Sequence, residues 1–356
     1  MRAGVLRDPA GPFTIEEMDL AEPGPGEVLV RVVGAGMCHT DLLYRQRPRL
    51  PMPMVFGHEG SGVVEAVGPG VRHVVPGDHV VMSFDSCGRC GQCLAGEPAY
   101  CDEMMLRNLS GTRPDGSPGA TDAAGLPVAI RWFGQSSFAT HTVATERNIV
   151  VVDRDLPLEL LGPLGCGVQT GAGSVLNAMS VRPGSSIAVF GAGAVGLSAI
   201  MAAKIAGASE IIAADLHPVR REMALELGAT RAVDGADPDV AAKVGRVDYS
   251  FDTTGVPVVV CTAIAVLRPK GTCTLVGAGG GEITFRPEAL AGRSLRYVLE
   301  GDAVPQLFIP QLIRLWRRGR FPFDKLIRTY SLDEINEAEY DSGNGTTVKP
   351  VLLPGT

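Results

Sequence analysis

The chain has 356 residues, 45% of them hydrophobic and 20% charged, with a net charge of −7 at pH 7. That length accommodates two ordinary domains, each with its own core, and the composition is that of a globular protein. The acidic balance excludes a broad nucleic-acid surface, and the strongest basic run, Arg317-Arg318-Gly319-Arg320, reads as a solvated helix end.

In chain order, the first residues, Met1 to Asp8, carry no apolar leader stretch, so a cytoplasmic location is expected. Residues 1–167 are rich in Gly, Pro and Val. Short apolar runs at 28–33 and 62–67 sit between turn signals such as Pro23-Gly24-Pro25-Gly26, which predicts a β-rich domain. Residues 108–127 are dense in Gly, Pro, Ser, Thr and Asp and predict a long surface loop. From 168 to 300 strands and helices alternate. Strands are predicted at Ser186–Phe190, Glu210–Asp215, Val247–Asp252 and 272–276, with helices at 195–206 and 217–227. This rhythm implies an α/β domain built on a doubly wound parallel sheet. The longest apolar stretch, 187–203, contains Gly191, Gly193 and Gly196, so it reads as strand, turn and helix and not as a membrane span. The tail holds an amphipathic helix at 306–317 and a strand at Lys349–Leu353.

Gly191-Ala192-Gly193-Ala194-Val195-Gly196 is a GxGxxG motif. In a chain with 45 glycines the motif alone is weak, but here it follows a strand and opens a helix, the context a dinucleotide site requires. The first glycine permits the tight turn, the second lets a pyrophosphate approach the backbone, and the third lets helix and strand pack closely. The next strand ends at Asp215, placed to accept hydrogen bonds from an adenosine ribose and to repel a 2′-phosphate, so NAD is expected over NADP. Arg220 could reach the same ribose or could simply be a solvated helix residue.

Eight cysteines in a chain expected to lie in a reducing compartment point to free thiols or metal ligands rather than disulfides. Cys87, Cys90, Cys93 and Cys101 fall within fifteen residues, a spacing that can close a tetrahedral zinc site. With four protein ligands such a site has no open position and is structural. Cys38, His58 and Cys166 are dispersed, and spacing alone does not unite them.

The motifs together resemble the zinc-containing medium-chain dehydrogenase/reductase family over essentially the whole chain. The resemblance rests on Gly36-Met37-Cys38-His39-Thr40-Asp41, Gly57-His58-Glu59-Gly60, the four-cysteine lobe, Gly165-Cys166-Gly167-Val168-Gln169-Thr170-Gly171, and the glycine motif with Asp215. It implies a GroES-like catalytic domain over 1–167, completed by 301–356, and a Rossmann domain over 168–300. It implies two zinc ions per chain, one structural and one catalytic, the latter held by Cys38, His58 and Cys166 with a fourth position open to an alcohol or aldehyde. The metal would act as a Lewis acid while hydride passes to NAD.

By the same resemblance Thr40 contacts the substrate oxygen and begins a proton relay. Asp41 orients His58, and Glu59 lies behind the zinc. His39, Thr170 and Lys349 contact the cofactor, Lys349 at its phosphates. Many relatives carry a relay histidine where this chain has Leu43, so the proton must leave by water, the cofactor ribose or another group.

Trp132-Phe133-Gly134-Gln135-Ser136-Ser137-Phe138, Asn108-Leu109-Ser110-Gly111 and Phe321-Pro322-Phe323 resemble aryl-alcohol and geraniol dehydrogenases more narrowly. Trp132 and Phe133 then line the substrate cleft, or else are ordinary core. Ser83, where relatives carry bulk, leaves room for a planar ring. A benzylic or allylic primary alcohol is the expected substrate, with no nucleic-acid or membrane partner. The stretch 108–127 resembles an insertion of dimeric relatives, so a homodimer is expected, with a homotetramer as the alternative.

A thiol-dependent formaldehyde dehydrogenase would share these sites and need a cationic anchor, for which Arg107, Arg113 and Arg131 are the candidates. A zinc-free quinone reductase and a non-catalytic binding protein are the remaining readings.

Overall fold

The computed structural model describes residues 1–45 and 50–355. The chain divides into two compact units, one of residues 1–166, 304–311 and 324–356, the other of 167–303 and 312–323. The boundary falls inside the helix Pro305–Arg317, so 312–323 groups with the second unit although the sequence had placed all of 301–356 with the first. No change of composition marks a boundary within a continuous helix.

In the first unit, Arg2–Leu6, Phe13–Leu20, Gly119–Asp122, Pro127–Ala129 and Met54–Val55 close a small barrel. Beside it lies a seven-stranded sheet. Its main path runs Ile149–Val152, His79–Met82, Glu59–Val67, Glu27–Gly36, Lys349–Leu353 and Ile327–Ser331, and His141–Thr145 also pairs with Glu27–Gly36. Glu27–Gly36 forms a strand because its side chains alternate: Val28, Val30 and Val32 are buried while Arg31 faces solvent.

The register of this sheet builds the site. Gly36 lies opposite Glu59 on one neighbour and opposite Val351 on the other. Chain segments distant in sequence therefore converge at one sheet end, bringing Cys38, His58, Glu59 and Lys349 together.

Part of the loop expected at 108–127 is structured. Gly119–Asp122 pairs with Phe13–Leu20 and with Pro127–Ala129 as a strand of the barrel. Asp122 Oδ1 accepts from the backbone N–H groups of Ala124 and Leu126, shaping the turn between the two strands. The Asp and Gly that suggested a loop serve that turn.

The second unit is a six-stranded parallel sheet in the order Arg231–Asp234, Glu210–Asp215, Ser186–Phe190, Val247–Asp252, Leu267–Leu275, Ser294–Tyr297. Numbered along the chain this is 3-2-1-4-5-6, the doubly wound order. The central strand Ser186–Phe190 is buried throughout, as expected where helices cover both faces. Ala188, Phe190, Ile212, Val260, Ile264, Leu267 and Leu275 belong to one core cluster. The edge strands Arg231–Asp234 and Ser294–Tyr297 have no clear sequence signal because they are four residues each, the first mostly half-buried and the second largely exposed, so no full hydrophobic alternation is imposed on them. Among the described residues, no helix is long and apolar enough to cross a membrane.

Candidate active site and metal centres

Cys38 is the N-cap of the short helix His39–Tyr44. Asp41, on the first turn, accepts from the Cys38 backbone N–H at 3.0 Å through Oδ2, which ties the helix start to the carboxylate. Through Oδ1 the same carboxylate meets His58 Nδ1 at 2.7 Å. Cys38, His58, Glu59 and Cys166 are all buried, and their potential ligand atoms lie within 4.8 Å of one another.

His58 Nε2 is buried and has no hydrogen-bond partner. An orphaned ring nitrogen in a dry cage with two thiols costs free energy unless something accepts its lone pair. Zinc fits that donor set, because imidazole and thiolate are its preferred ligands. Cys38 is held well below the usual thiol range by its contact with Cys166, against the effect of burial and with help from the Lys349 charge. Burial works to lower His58, but Asp41 and Cys38 hold it well above the usual histidine value.

Thr40 is half-buried and His39 exposed on the same helix, with Leu43 one turn further on. Burial pushes the Glu59 carboxyl up to about 7, against the opposing charge of Lys349. Lys349 corrects an expectation. Its ammonium is buried, 2.9 and 2.8 Å from the two Glu59 oxygens and 3.1 Å from the Met37 carbonyl. All three donors are engaged there, so Lys349 holds Glu59 and has none left for cofactor phosphates.

Of the two readings open for Trp132, the structure takes the core one, and Ser83 lies in the interior as well. Both are fully buried and present no surface to a substrate. Ser83 Oγ donates to the Gly165 carbonyl at 2.6 Å, and Trp132 Nε1 donates to Asp41 Oδ1 at 2.9 Å. Phe133, 6% exposed, stacks on the His58 ring at 4.4 Å. Gln135, which sequence reasoning had not singled out as a site residue, donates to the His58 carbonyl and accepts from the Gly60 N–H. No local pattern marks it, since its side-chain partners Ser83, His58 and Gly60 lie 52, 77 and 75 positions away.

The four-cysteine lobe forms a second cage. Cys87, Cys90, Cys93 and Cys101 have their sulfurs within 4.8 Å of one another, with Cys87–Cys93 and Cys90–Cys101 each at 4.0 Å. A disulfide needs about 2.05 Å. A tetrahedron with metal–sulfur bonds of about 2.3 Å has edges of about 3.8 Å, close to what is found. Backbone N–H groups already point at the sulfurs: Cys87 Sγ accepts from Arg89 and Cys90, and Cys101 Sγ from Cys87 and Glu103. Such donors lower Cys90 to about 6, while burial pushes Cys101 up to about 12. None of the eight cysteines forms a disulfide.

In the second unit the glycine motif joins Ser186–Phe190 to the helix Ala194–Ala206. Its glycines differ in why they are needed. Gly191 has φ +91°, and a Cβ there would meet Thr253 Oγ1 at 2.3 Å; one on Gly196 would meet the Gly191 carbonyl at 1.8 Å. A Cβ on Gly193 would meet nothing within 4 Å. The fold requires the outer two, while Gly193 leaves open space at the helix N-terminus, where a phosphate can approach.

Gly193→Ala is therefore expected to fold with an unchanged melting temperature and to weaken dinucleotide binding about tenfold or more, read by titration calorimetry. Gly196→Ala should fail to fold stably. A Gly193→Ala protein that binds dinucleotide normally would contradict this division.

Asp215 Oδ2 accepts from the Ala192 N–H at 2.6 Å and Oδ1 from the His217 N–H at 2.8 Å, which places its carboxylate beside the glycine turn. Arg220 is half-buried and its Nε has no partner. Thr170 is buried on the helix Gly167–Gly173.

The cationic anchors demanded by a thiol adduct are already occupied. Arg107 pairs with Asp85 and Glu103, and Arg113 with both oxygens of Glu27. Arg131 is buried and donates to the Val143 carbonyl at 2.7 Å.

Comparison with known proteins agrees with this architecture. Residues 24–154 match the alcohol dehydrogenase GroES-like domain, and residues 194–313 match the zinc-binding dehydrogenase domain. The chain belongs to the zinc-containing medium-chain alcohol dehydrogenase family, whose members are zinc-dependent alcohol oxidoreductases. It is 47% identical to a geraniol dehydrogenase of Castellaniella defragrans, over 99% of this chain and 97% of that protein. An alcohol dehydrogenase zinc-binding domain protein from Burkholderia ambifaria superposes with a TM-score of 0.96 at 49% identity, covering 99% and 98% of the two chains. Benzyl alcohol dehydrogenase from Acinetobacter calcoaceticus superposes with a TM-score of 0.94 at 44% identity, again covering 99% and 98%.

Proposed function

We propose that the chain is an NAD-dependent alcohol dehydrogenase with two zinc ions, interconverting benzylic or allylic primary alcohols and their aldehydes. The observation that carries this reading is the partnerless His58 Nε2, buried between the Cys38 and Cys166 thiols. When bound there, zinc supplies Lewis-acid polarisation of the substrate oxygen. Cys87, Cys90, Cys93 and Cys101 would hold the second ion, and four thiolates would leave it a structural role.

The chain's own groups divide the remaining work. Asp41 and Glu59 support the cage, Asp41 by orienting His58. The Thr40 hydroxyl takes the alcohol proton and passes it on. Leu43 has no group to accept it, so the proton must leave Thr40 by a route that does not pass through position 43. The first unit carries the alcohol chemistry. The second would hold NAD through Gly191, Gly193, Gly196 and Asp215, with Arg220 and Thr170 as further contacts. The substrate class follows from the relatives named for geraniol and benzyl alcohol. The thiol-adduct reading loses support because its candidate anchors are spent on internal carboxylates and a carbonyl. We further propose a homodimer in a reducing, cytoplasmic compartment, consistent with eight cysteines that form no disulfide.

A substrate panel tests the reading. Benzyl alcohol and geraniol should give kcat/KM well above that for ethanol or a formaldehyde–thiol adduct, and NAD should outperform NADP. Asp215→Ala should erode the NAD preference by about 10- to 150-fold, the equivalent of a charged hydrogen bond worth about 1.5–3 kcal/mol. Turnover of the thiol adduct above all free alcohols would overturn the assignment.

A further inference from the structure

We propose that Trp132 is a positioning residue for the catalytic metal: its indole N–H fixes Asp41, and Asp41 in turn fixes the imidazole of His58. The inference rests on the reading of His58 as a zinc ligand and adds a residue to the machinery behind it.

The geometry is specific. Asp41 Oδ1 meets His58 Nδ1 at 2.7 Å, Trp132 Nε1 at 2.9 Å and the Gly57 backbone N–H at 3.2 Å, while Oδ2 takes the Cys38 N–H at 3.0 Å. Three of these neighbours can only donate. The carboxylate therefore acts as an acceptor, which assigns a proton to His58 Nδ1 and makes Nε2 the ring nitrogen available to a metal. Asp41 and Trp132 are each 0% exposed, so water cannot replace the indole if it is removed. Losing one of the three donors to Oδ1 in that dry setting would drive the carboxylate to rotate and re-share the remaining ones, and the imidazole would lose its fixed orientation.

The chain around Trp132 reinforces the same end. The segment from Trp132 to Phe138 turns back along the segment from Val55 to Gly60. The Ser137 and Phe138 N–H groups donate to the Gly57 and Phe56 carbonyls. Ser136 Oγ donates to the Val55 carbonyl and accepts from the Trp132 N–H, and Gln135 brackets His58 through its carbonyl and the Gly60 N–H. Phe133 has φ +50°, a backbone conformation costly for a bulky residue, and its ring stacks on His58. The backbone, the ring face and the Nδ1 partner of one ligand are thus all set by neighbouring residues of a single segment. Trp132 is its only side chain that reaches the carboxylate.

The test separates the N–H from the bulk of the ring. Trp132→Phe keeps an aromatic ring and removes the donor. Phe56→Leu is the packing control, since Phe56 contacts the Trp132 ring at 5.2 Å and makes no hydrogen bond to Asp41 through its side chain. Zinc release to a chromogenic chelator is followed for both cages, together with the visible bands of the enzyme carrying cobalt in the catalytic cage. Trp132→Phe should release catalytic zinc about tenfold faster, the lower end of what partners of ligating histidines contribute, with release from the four-cysteine cage unchanged. The cobalt bands should shift.

Phe56→Leu should leave both readouts at wild-type values even if its melting temperature falls. In an Asp41→Asn background, Trp132→Phe should add little. If the phenylalanine variant does not fold, Trp316→Phe protein grown with benzothienylalanine replaces the remaining indole N–H by sulfur at nearly constant shape. Equal acceleration by Phe56→Leu, wild-type release from either N–H-deleted protein, or full additivity with Asp41→Asn would each overturn the proposal. A wild-type enzyme holding zinc only in the four-cysteine cage would instead overturn the underlying reading of His58.

Discussion

Replacing Cys166 by serine is expected to lower kcat/KM by about a thousandfold while leaving the melting temperature nearly unchanged, whereas Cys93→Ser should do the reverse. Serine is a poor zinc ligand because the thiolate, not a neutral hydroxyl, is what binds. Lewis-acid stabilisation contributes several kcal/mol to the transition state, and about 4 kcal/mol corresponds to that factor. The Cys166 cage sits at a sheet end already held by strand pairing and by Asp41, so the fold does not depend on its metal.

The lobe around Cys93 has little else to hold it. Its helix Gly91–Leu94 has no buried residue, and Leu94 is 76% exposed. A structural zinc contributes folding free energy directly. Losing it should lower the melting temperature by on the order of 10 °C, which is about 3–5 kcal/mol at 2–4 °C per kcal/mol for a unit of this size. Each variant should retain one zinc per chain by metal analysis. A stable but inactive Cys93→Ser, or an unfolded Cys166→Ser, would reverse the assignment of the two cages.

What the sequence could show depended on distance along the chain. The four-cysteine cage and the glycine turn are legible because their residues are close neighbours, so spacing encodes geometry. The parallel sheet is legible because its buried strands and amphipathic helices impose different periods. Cys38 and His58 come together only through sheet register, with Gly36 opposite Glu59, and Cys166 joins them from the turn after Gly162–Gly165; periodicity does not reveal which strands pair. Partner choice is harder still. Lys349 is a cation near the C-terminus that resemblance assigned to phosphates, yet it pairs across 290 positions with Glu59. Trp132 reads as a pocket wall or as core, and its N–H finds Asp41 across 91 positions. Aromatic size predicts burial; it does not predict where the one polar atom of the ring will point.

The Lys349–Glu59 pair gives the other large expected effect. Both groups are nearly inaccessible, and the ammonium meets both carboxylate oxygens within 2.9 Å. Removing one partner of a buried pair costs about 3–5 kcal/mol, and without Lys349 the Glu59 carboxyl must either stay charged with no partner or take up a proton, so Lys349→Met should be severely destabilised in urea denaturation. Glu59→Gln should cost less, because the surviving ammonium keeps the Met37 carbonyl and the amide oxygen as acceptors.

The informative protein is the double variant. Neutral replacement of a buried pair is often tolerated, so Glu59→Gln with Lys349→Met should recover most of what Lys349→Met alone loses, giving a coupling energy of about 2 kcal/mol or more. If Lys349 instead stood free to bind cofactor phosphates, the single variant would weaken NAD binding at little cost in stability, and the second substitution would rescue nothing. Stability and NAD affinity measured on the same three proteins therefore decide between a lysine that holds Glu59 and one that holds the cofactor.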